Sequence, residues 1–160
     1  MLYIKLICVG KMREKYFTDA FEEYRKRLTP LCRFELCEIP EERLPDEPSA
    51  KEIQAALGRE EGAILREIPQ DSYVCALCVE GKQLPSEGIA AMLAERALSG
   101  KPKLCFLVGG SFGLSEAVKR RADARLSFSR MTFPHHLARV MLMEQIYRGF
   151  AINRGSRYHK

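Results

Sequence analysis

Apolar side chains form five short runs along this chain. Three runs are nearly uninterrupted, as in strands covered on both faces, while the second alternates with charged residues and the fifth is brief. We therefore predict strands at residues 2–9, 34–39, 73–79, 103–108 and 125–128. Between and after them, apolar positions recur at three- and four-residue spacing, which predicts helices at 16–28, 49–68, 86–99, 115–122 and 136–152. This alternation predicts an α/β fold with a mainly parallel sheet and helices on both faces.

Several polar residues indicate where these elements begin and end. Ser49 and Glu52 have the spacing of a capping box, in which each side chain bonds the other residue's backbone amide. Ser86 and Ser115 stand where N-caps are expected. The residues Glu80-Gly81-Lys82 are interpreted as a turn that ends the third strand.

Length and composition indicate one domain spanning residues 1–160. Apolar residues make up 46% of the chain and charged residues 29%, which is ordinary for a globular protein. No apolar run approaches the roughly 18 residues that a membrane span requires, so no membrane association is predicted. The first residues lack a basic region followed by a small-residue cleavage site. A cytoplasmic location is therefore expected.

The chain has six cysteines, most of them within the predicted strands. Cys75 and Cys78 have the spacing of a metal-binding pair, but no second pair of ligands follows them. On a strand these two side chains also point to opposite faces. A buried apolar role is therefore favoured over a metal site, and no metal is predicted.

Positive charge is concentrated near the C-terminus. Residues 119–160 contain ten basic and two acidic residues, a net charge of +8. Since the whole chain carries +5, residues 1–118 carry −3. This asymmetry suggests a polyanionic partner on one side of the molecule. Scattered surface arginines that only aid solubility remain the alternative.

The ends of three predicted strands carry residues suited to a shared pocket. Glycines at residues 109, 110 and 113 follow the fourth strand, residues 77–82 end the third, and Ser127, Ser129 and Thr132 follow the fifth. Ligands bind at the carboxyl ends of parallel strands. A rim of glycine and hydroxyl residues largely without carboxylates suits an adenosine-type cofactor held by backbone groups. The glycine segment matches neither a dinucleotide-binding motif nor a P-loop, and an ordinary strand–helix turn remains open.

The C-terminal quarter joins an apolar helix to a polar tail. Apolar residues surround most of the helix at 136–152, whereas Glu144, Gln145 and Arg148 share one narrow face nearly opposite Arg139. Such a helix is either the centre of the core or the contact of a two-fold homodimer, and both can hold. The tail, residues 153–160, contains Tyr158 and His159 among Arg154, Arg157 and Lys160. It is either a disordered basic end or an RNA-binding segment.

Several motifs occur in a fixed order along the chain. They are Gly10-Lys11, Ala76-Leu77, Glu80-Gly81-Lys82, Val108-Gly109-Gly110, Gly113-Leu114-Ser115, Leu126-Ser127-Phe128-Ser129, Met131-Thr132-Phe133-Pro134-His135, Arg139-Val140, Glu144-Gln145-Ile146-Tyr147-Arg148 and Tyr158-His159. As an ordered set they closely resemble the RlmH family of SPOUT-class methyltransferases, over essentially the whole chain. Each motif alone is weak, but the set with its terminal Tyr-His is specific.

The resemblance implies a SPOUT-type fold with a C-terminal trefoil knot, an exception to the rule against knotted chains. It also implies a homodimer that binds S-adenosylmethionine and methylates N3 of a pseudouridine in 23S ribosomal RNA of assembled ribosomes. The implied cofactor contacts are Leu77, Gly109, Gly110, Phe128, Ser129, Arg130, Met131, Thr132 and Phe133. The tail residues Tyr158, His159 and Lys160 would meet the RNA base across the dimer interface, with Arg154 and Arg157 holding phosphates.

Two positions depart from the family pattern. Cys78 stands where an acid is frequent, which puts in doubt a polar contact from that strand end to the cofactor. Lys160 stands where an arginine is frequent, which keeps the charge without bidentate phosphate geometry.

The mechanism that the resemblance implies requires deprotonation of the N3 imide. His159 is predicted to act as the general base or to orient the base edge, and Tyr158 to stack on the uracil ring. Two other functions are alternatives to this one. A non-catalytic ribosome-binding factor would keep the basic tail but not the cofactor rim. A nucleotide-dependent oxidoreductase would require an acidic ribose partner on a later strand, and none follows the glycines.

Overall fold

Strands and helices alternate strictly in the computed structural model, which describes residues 1–160. Their bounds, in chain order, are β1 (Tyr3–Val9), α1 (Lys15–Leu28), β2 (Arg33–Ile39), α2 (Ala50–Glu67), β3 (Tyr73–Gln83), α3 (Ser86–Leu98), β4 (Lys103–Val108), α4 (Glu116–Arg121), β5 (Ala124–Ser127) and α5 (His135–Asn153). All ten predicted elements are confirmed, with differences of a few residues at their ends.

The five strands form one sheet in the order β2-β1-β4-β3-β5, and every neighbouring pair is parallel. The predicted parallel α/β sheet is therefore confirmed. Because β5 follows β4 in the chain but pairs with β3, the connection through α4 must pass β3 to reach the sheet edge. The strands β4, β3 and β5 are therefore parallel neighbours, and their carboxyl ends lie side by side at the same end of the sheet.

Each face of the sheet has its own apolar core. On β1, Ile4 and Leu6 pack with α1, α3 and α5, whereas Ile7 and Val9 pack with α2 and α4. The alternation follows from the two-residue period of a strand. Fully burying one such side chain contributes roughly 1.5–3 kcal/mol, so these two layers account for much of the folding free energy. Helices on both faces are thus confirmed.

The predicted turn at Glu80-Gly81-Lys82 is wrong, because β3 continues to Gln83. Pairing with β5 is interrupted after Leu77 and resumes at Lys82, opposite Leu126. A Cβ at Gly81 would lie 2.7 Å from the carbonyl carbon of Leu126, so the two backbones touch there. The glycine that suggested a turn instead allows this close approach.

Two of the three predicted N-caps are confirmed. The Ser49–Glu52 capping box is formed, and the hydroxyl of Ser115 accepts a hydrogen bond from the amide of Val118 at 3.2 Å. The prediction for Ser86 is wrong, because Pro85 is the N-cap of α3. The Ser86 hydroxyl instead donates to Gln145 Oε1 at 2.7 Å and links α3 to α5.

Cys8, Cys32, Cys75 and Cys105 are buried, as predicted for small apolar side chains, while Cys37 and Cys78 are only half-buried. All six are free thiols. No three His, Cys, Asp or Glu side chains come together in a way that could hold a metal ion. None of the helices combines the length and the apolar character needed to cross a bilayer.

Candidate active site

A cavity of about 750 Å³ lies at the carboxyl ends of β3, β4 and β5. Most of its wall comes from residues 77–80, 108–114 and 127–135. Within the last segment, only Arg130 lies outside the lining. The prediction that the three strand ends form one pocket rim is therefore confirmed. A cavity of this size falls in the range of small-molecule and cofactor sites.

Close backbone contacts shape the glycine loop after β4. A Cβ at Gly109 would lie 2.5 Å from the carbonyl oxygen of Gly113, so only glycine fits. Gly113 itself has φ of +78°, a conformation that glycine adopts without strain. Glu41, from the loop after β2, accepts hydrogen bonds from the amide and the hydroxyl of Ser111, both at 3.2 Å. The loop therefore presents backbone to the cavity in a fixed shape.

Hydroxyl groups fold the segment between β5 and α5. The buried Ser127 hydroxyl donates to the carbonyl of Ser129 at 2.9 Å, and the Ser129 hydroxyl accepts from the amide of Met131 at 3.1 Å. These local bonds turn the chain along the cavity until Pro134, the N-cap of α5. Eight of the nine predicted cofactor residues line the cavity, namely Leu77, Gly109, Gly110, Phe128, Ser129, Met131, Thr132 and Phe133. Arg130 is exposed and does not line it.

The cavity has two charged side chains: Glu80, which lies in the predicted rim segment 77–82 but had no assigned role, and Lys119, which was not predicted there. They form an ion pair with each other, and the hydrogen bond from Lys119 lowers the pKa of the Glu80 carboxyl. Lys119 lies in the basic last turn of α4, and nothing in the local sequence indicates that it reaches β3. Their separation of 39 residues in the chain explains why the pattern alone did not reveal them.

Two further titratable groups line the cavity. Burial raises the pKa of the Cys78 thiol. Burial lowers the pKa of the His135 imidazole, with the neighbouring His136 and Arg139 acting in the same direction. Both shifts favour the uncharged form of the group. In its thiol form, Cys78 offers no charged contact to a ligand.

Arg139 ties the start of α5 to the end of β1. Its side chain is completely buried, and Nη2 donates to the carbonyls of Val9 at 2.6 Å and Gly10 at 2.7 Å. Nη1 forms an ion pair with Glu38 at 3.3 Å. Arg139 was counted in the basic C-terminal quarter, but burial removes it from any surface that could meet a polyanion.

The tail folds back onto α5 and α3. The Tyr158 hydroxyl donates to Glu144 at 3.1 Å, and its ring lies edge-on to Tyr147 with centroids 4.9 Å apart. The His159 ring is held between Arg148 Nη1, 3.2 Å from Nδ1, and Glu87 Oε1, 3.0 Å from Nε2. Because a guanidinium only donates and a carboxylate only accepts, this arrangement fits an imidazole with its proton on Nε2.

We call the cavity at the ends of β3, β4 and β5 the cofactor cavity. Neither Tyr158 nor His159 lines this cavity in its own chain. Arg154, Arg157 and Lys160 are exposed. The structure thus brings the predicted cofactor residues together and the two predicted catalytic residues together, but leaves the two groups apart within one chain.

A second cavity, of about 470 Å³, lies between α1, α3 and α5. Its wall is largely apolar and includes Leu84, Ile89, Val140 and Met141. Phe128 lines both cavities, and Glu144, which binds the tail, also lines the second. The second cavity therefore lies between the cofactor cavity and the tail.

Residues 2–159 match the family model described as "Predicted SPOUT methyltransferase". The chain belongs to the SPOUT methyltransferase family.

The chain is also similar to proteins named "Ribosomal RNA large subunit methyltransferase H". The one from Clostridioides difficile (strain 630) is 46% identical over 157 residues, which cover 98% of this chain and 99% of that protein. The one from Moorella thermoacetica is 46% identical over 160 residues and the full length of both chains. The one from Streptococcus pyogenes serotype M5 is 44% identical over 157 residues, 98% and 99% of the two chains.

A solved structure of a probable methylase family protein from Haemophilus influenzae Rd KW20 superimposes with a TM-score of 0.56 and 13% identity. The superposition covers 98% of this chain and 70% of that one, and at this identity it supports the fold alone. Family membership confirms the predicted SPOUT-type α/β fold and methyltransferase activity. The trefoil knot that the resemblance implies stays a prediction. A SPOUT methyltransferase needs a methyl donor, and the glycine-walled cavity is the place in this chain that fits one.

Proposed function

We propose that this SPOUT methyltransferase transfers a methyl group from S-adenosylmethionine to N3 of a pseudouridine in 23S ribosomal RNA of assembled ribosomes, in the cytoplasm. The observation that carries the proposal is the cavity at the ends of β3, β4 and β5. It occurs in a chain that aligns end to end with relatives named for methylation of large-subunit ribosomal RNA.

The residues of the cavity suit an adenosyl cofactor. Gly109 and Gly110 leave backbone groups open to a ligand, and Leu77, Phe128 and Phe133 provide apolar wall. Bound there, the cofactor would supply an electrophilic methyl group. The lining also includes Ser129 and Thr132, whose uncharged hydroxyls suit hydroxyl and amine groups of the ligand, beside the Glu80–Lys119 ion pair.

The tail supplies the groups that act on the RNA base. N3 of the uracil ring is a poor nucleophile while it holds its proton, and His159 is placed to accept that proton or to orient the base edge. Nδ1 of His159 carries the free lone pair, so the imidazole must leave Arg148 to receive a proton there. Tyr158 stacks on the ring, and Arg154, Arg157 and Lys160 hold neighbouring phosphates. Lys160 acts as a point charge rather than a bidentate partner.

A two-fold homodimer unites the two halves of the site. Within one chain the tail lies on α5 and α3, outside the cofactor cavity. In the dimer the tail of one protomer reaches the cofactor cavity of its partner. The apolar wall of the second cavity, on α1, α3 and α5, is the surface best suited to pack against a second copy.

Replacing His159 with alanine tests the proposal. Methyl transfer to ribosomes in a single turnover should fall roughly 10²–10⁴-fold, the range for loss of a general base. Calorimetric affinity for S-adenosylhomocysteine should stay within about twofold, because none of the residues proposed to hold the cofactor is changed. Replacing Gln54 with alanine, at an exposed position of α2, is the control and should leave the rate unchanged. A His159→Ala enzyme with the wild-type rate would remove His159 from the mechanism.

The substrate is tested in the same assay. Labelled methyl groups should appear on assembled ribosomes and far less on naked 23S RNA, and mapping should place them on N3 of a pseudouridine. Failure of the wild-type protein to bind S-adenosylmethionine by calorimetry would instead favour a non-catalytic ribosome-binding factor.

A further inference from the structure

Glu80 is the one carboxylate that lines the cofactor cavity. Its side chain is 52% exposed, whereas the Lys119 side chain that pairs with it is only 14% exposed. Cys78 and His135, the other titratable groups in the lining, favour their uncharged forms. The open side of the Glu80 carboxylate is therefore the strongest hydrogen-bond acceptor that the side chains of this cavity offer to a ligand.

The position of Glu80 is held from two directions. Gly81, the next residue, lies against the backbone of β5, and strand pairing resumes immediately at Lys82. At the other end, the ammonium of Lys119 binds Glu80 Oε1. Lys119 is itself placed by α4 and lies 3.5 Å from Glu116. A carboxylate fixed at both ends is preorganised for binding, so little entropy is lost when it engages a ligand.

The surroundings of Glu80 favour neutral donors over cationic ones. An ionised carboxylate accepts at about four lone-pair sites, so the bond from Lys119 leaves acceptor capacity free. The ammonium of Lys119 repels a second cation at short range. The ammonium and sulfonium groups of the cofactor are therefore disfavoured there, while a pair of hydroxyl groups is not. Carboxylates at the ends of parallel strands bind ribose hydroxyls in this way in dinucleotide-binding folds.

We propose that Glu80 accepts hydrogen bonds from the ribose hydroxyls of the adenosyl cofactor, and that Lys119 positions its carboxylate. The inference rests on the proposed function, because it takes S-adenosylmethionine as the ligand. It assigns ribose recognition to a residue that is absent from the cofactor contacts implied by the resemblance.

Calorimetry with two ligands tests this assignment. The probes are S-adenosylhomocysteine and its 2′,3′-dideoxyribose analogue, which differ only in the hydroxyls. The wild-type protein should bind the analogue roughly 10- to 100-fold more weakly, as expected for lost hydrogen bonds to a charged group. Glu80→Ala should bind S-adenosylhomocysteine more weakly by a similar factor and should distinguish the two ligands by less than about threefold.

Two further variants complete the design. Glu116 is the other carboxylate beside Lys119, and it does not line the cavity. Glu116→Ala should therefore behave as the wild type with both ligands. Glu80→Gln keeps the side-chain volume and one acceptor oxygen, so it should fold even if the alanine variant does not. It should keep part of the discrimination and bind the dideoxy analogue roughly three- to tenfold more weakly than S-adenosylhomocysteine.

The failure of this inference differs from the failure of the proposed function. A Glu80 variant that still rejects the dideoxy analogue as the wild type does would overturn the ribose assignment. Equal weakening toward both ligands, with discrimination kept, would also overturn it and place the carboxylate near another part of the cofactor. If the wild-type protein did not bind S-adenosylhomocysteine, this result would instead contradict the proposal that S-adenosylmethionine is the cofactor.

Discussion

Two glycines at the residue scale show how differently this fold depends on the same residue type. Gly109 lies where a Cβ would meet the backbone of Gly113, while Gly58, inside α2, has open space around its Cβ position. The first glycine is required by a contact between distant parts of a loop. The second only weakens its helix, because glycine has more backbone freedom to lose on folding.

Gly109→Ala and Gly58→Ala should therefore change stability in opposite directions. Gly109→Ala should lower the free energy of unfolding by roughly 1–3 kcal/mol or more, through overlap with the Gly113 backbone, and should weaken cofactor binding. Gly58→Ala should raise it by about 0.5–1 kcal/mol and leave cofactor binding unchanged. Urea unfolding at one fixed protomer concentration, with calorimetry, measures both. Equal stability of the two variants would contradict the close backbone approach.

The sequence indicated residues of the cavity wall where local chain chemistry is informative. Gly109, Ser129 and Thr132 were selected because glycine and hydroxyl residues at strand ends suit backbone-mediated binding, and all three line the cavity. The burial of Arg139, counted among the basic residues of the C-terminal quarter, was not predicted, because its partners, the carbonyls of Val9 and Gly10, lie about 130 residues earlier. Sequence spacing carries no information on such a contact.

Among the elements, α5 connects the functional parts of the molecule. Its first turn borders the cofactor cavity through His135 and Ala138, its middle packs against α1 and α3, and its last turns bind the tail. Gly149 lets it approach closely, since a Cβ there would lie 2.7 Å from Cδ1 of Leu93 in α3. These contacts place one helix beside both the cavity loop and the tail.

Truncation after Asn153 should separate folding from activity. The removed residues contact the rest of the chain mainly through partly exposed pairs, which contribute little to stability. Asn153 keeps its own bond to the carbonyl of Ala90 at 2.9 Å. We expect a folded dimer that binds S-adenosylhomocysteine but does not methylate ribosomes. Sedimentation, calorimetry and labelled transfer measure the three properties, and a truncated protein that is monomeric would make the tail a structural element.

For the whole molecule, the central observation is that the tail and the cofactor cavity are separate within one chain. A dimer in which the tail acts on the partner's cavity predicts that two defective proteins can restore each other. His159→Ala lacks the proposed catalytic side chain, whereas Thr132→Trp places a large group at an exposed position of the cavity lining. Each protein alone should be nearly inactive.

Mixed and re-annealed, these two variants should recover roughly a quarter of wild-type activity. Random pairing makes half of the dimers mixed, and each mixed dimer has one site with both an intact cavity and an intact partner tail. Labelled methyl transfer to ribosomes measures the recovery, with each variant re-annealed alone as the control. No recovery, despite mixed dimers detected by mass spectrometry, would place the tail and cavity of the same chain in one site.

The sequence by itself determined the succession of elements, the parallel sheet and the location of the site at three strand ends. These properties follow from hydrophobic periodicity and local residue chemistry, which act over a few residues. Only the tertiary structure decided that β5 lies beside β3, that Gly81 touches β5 and that Lys119 reaches Glu80. It also placed the tail on α5, away from the cavity. Such contacts depend on how separate elements pack across the sheet, and no local pattern along the chain encodes them.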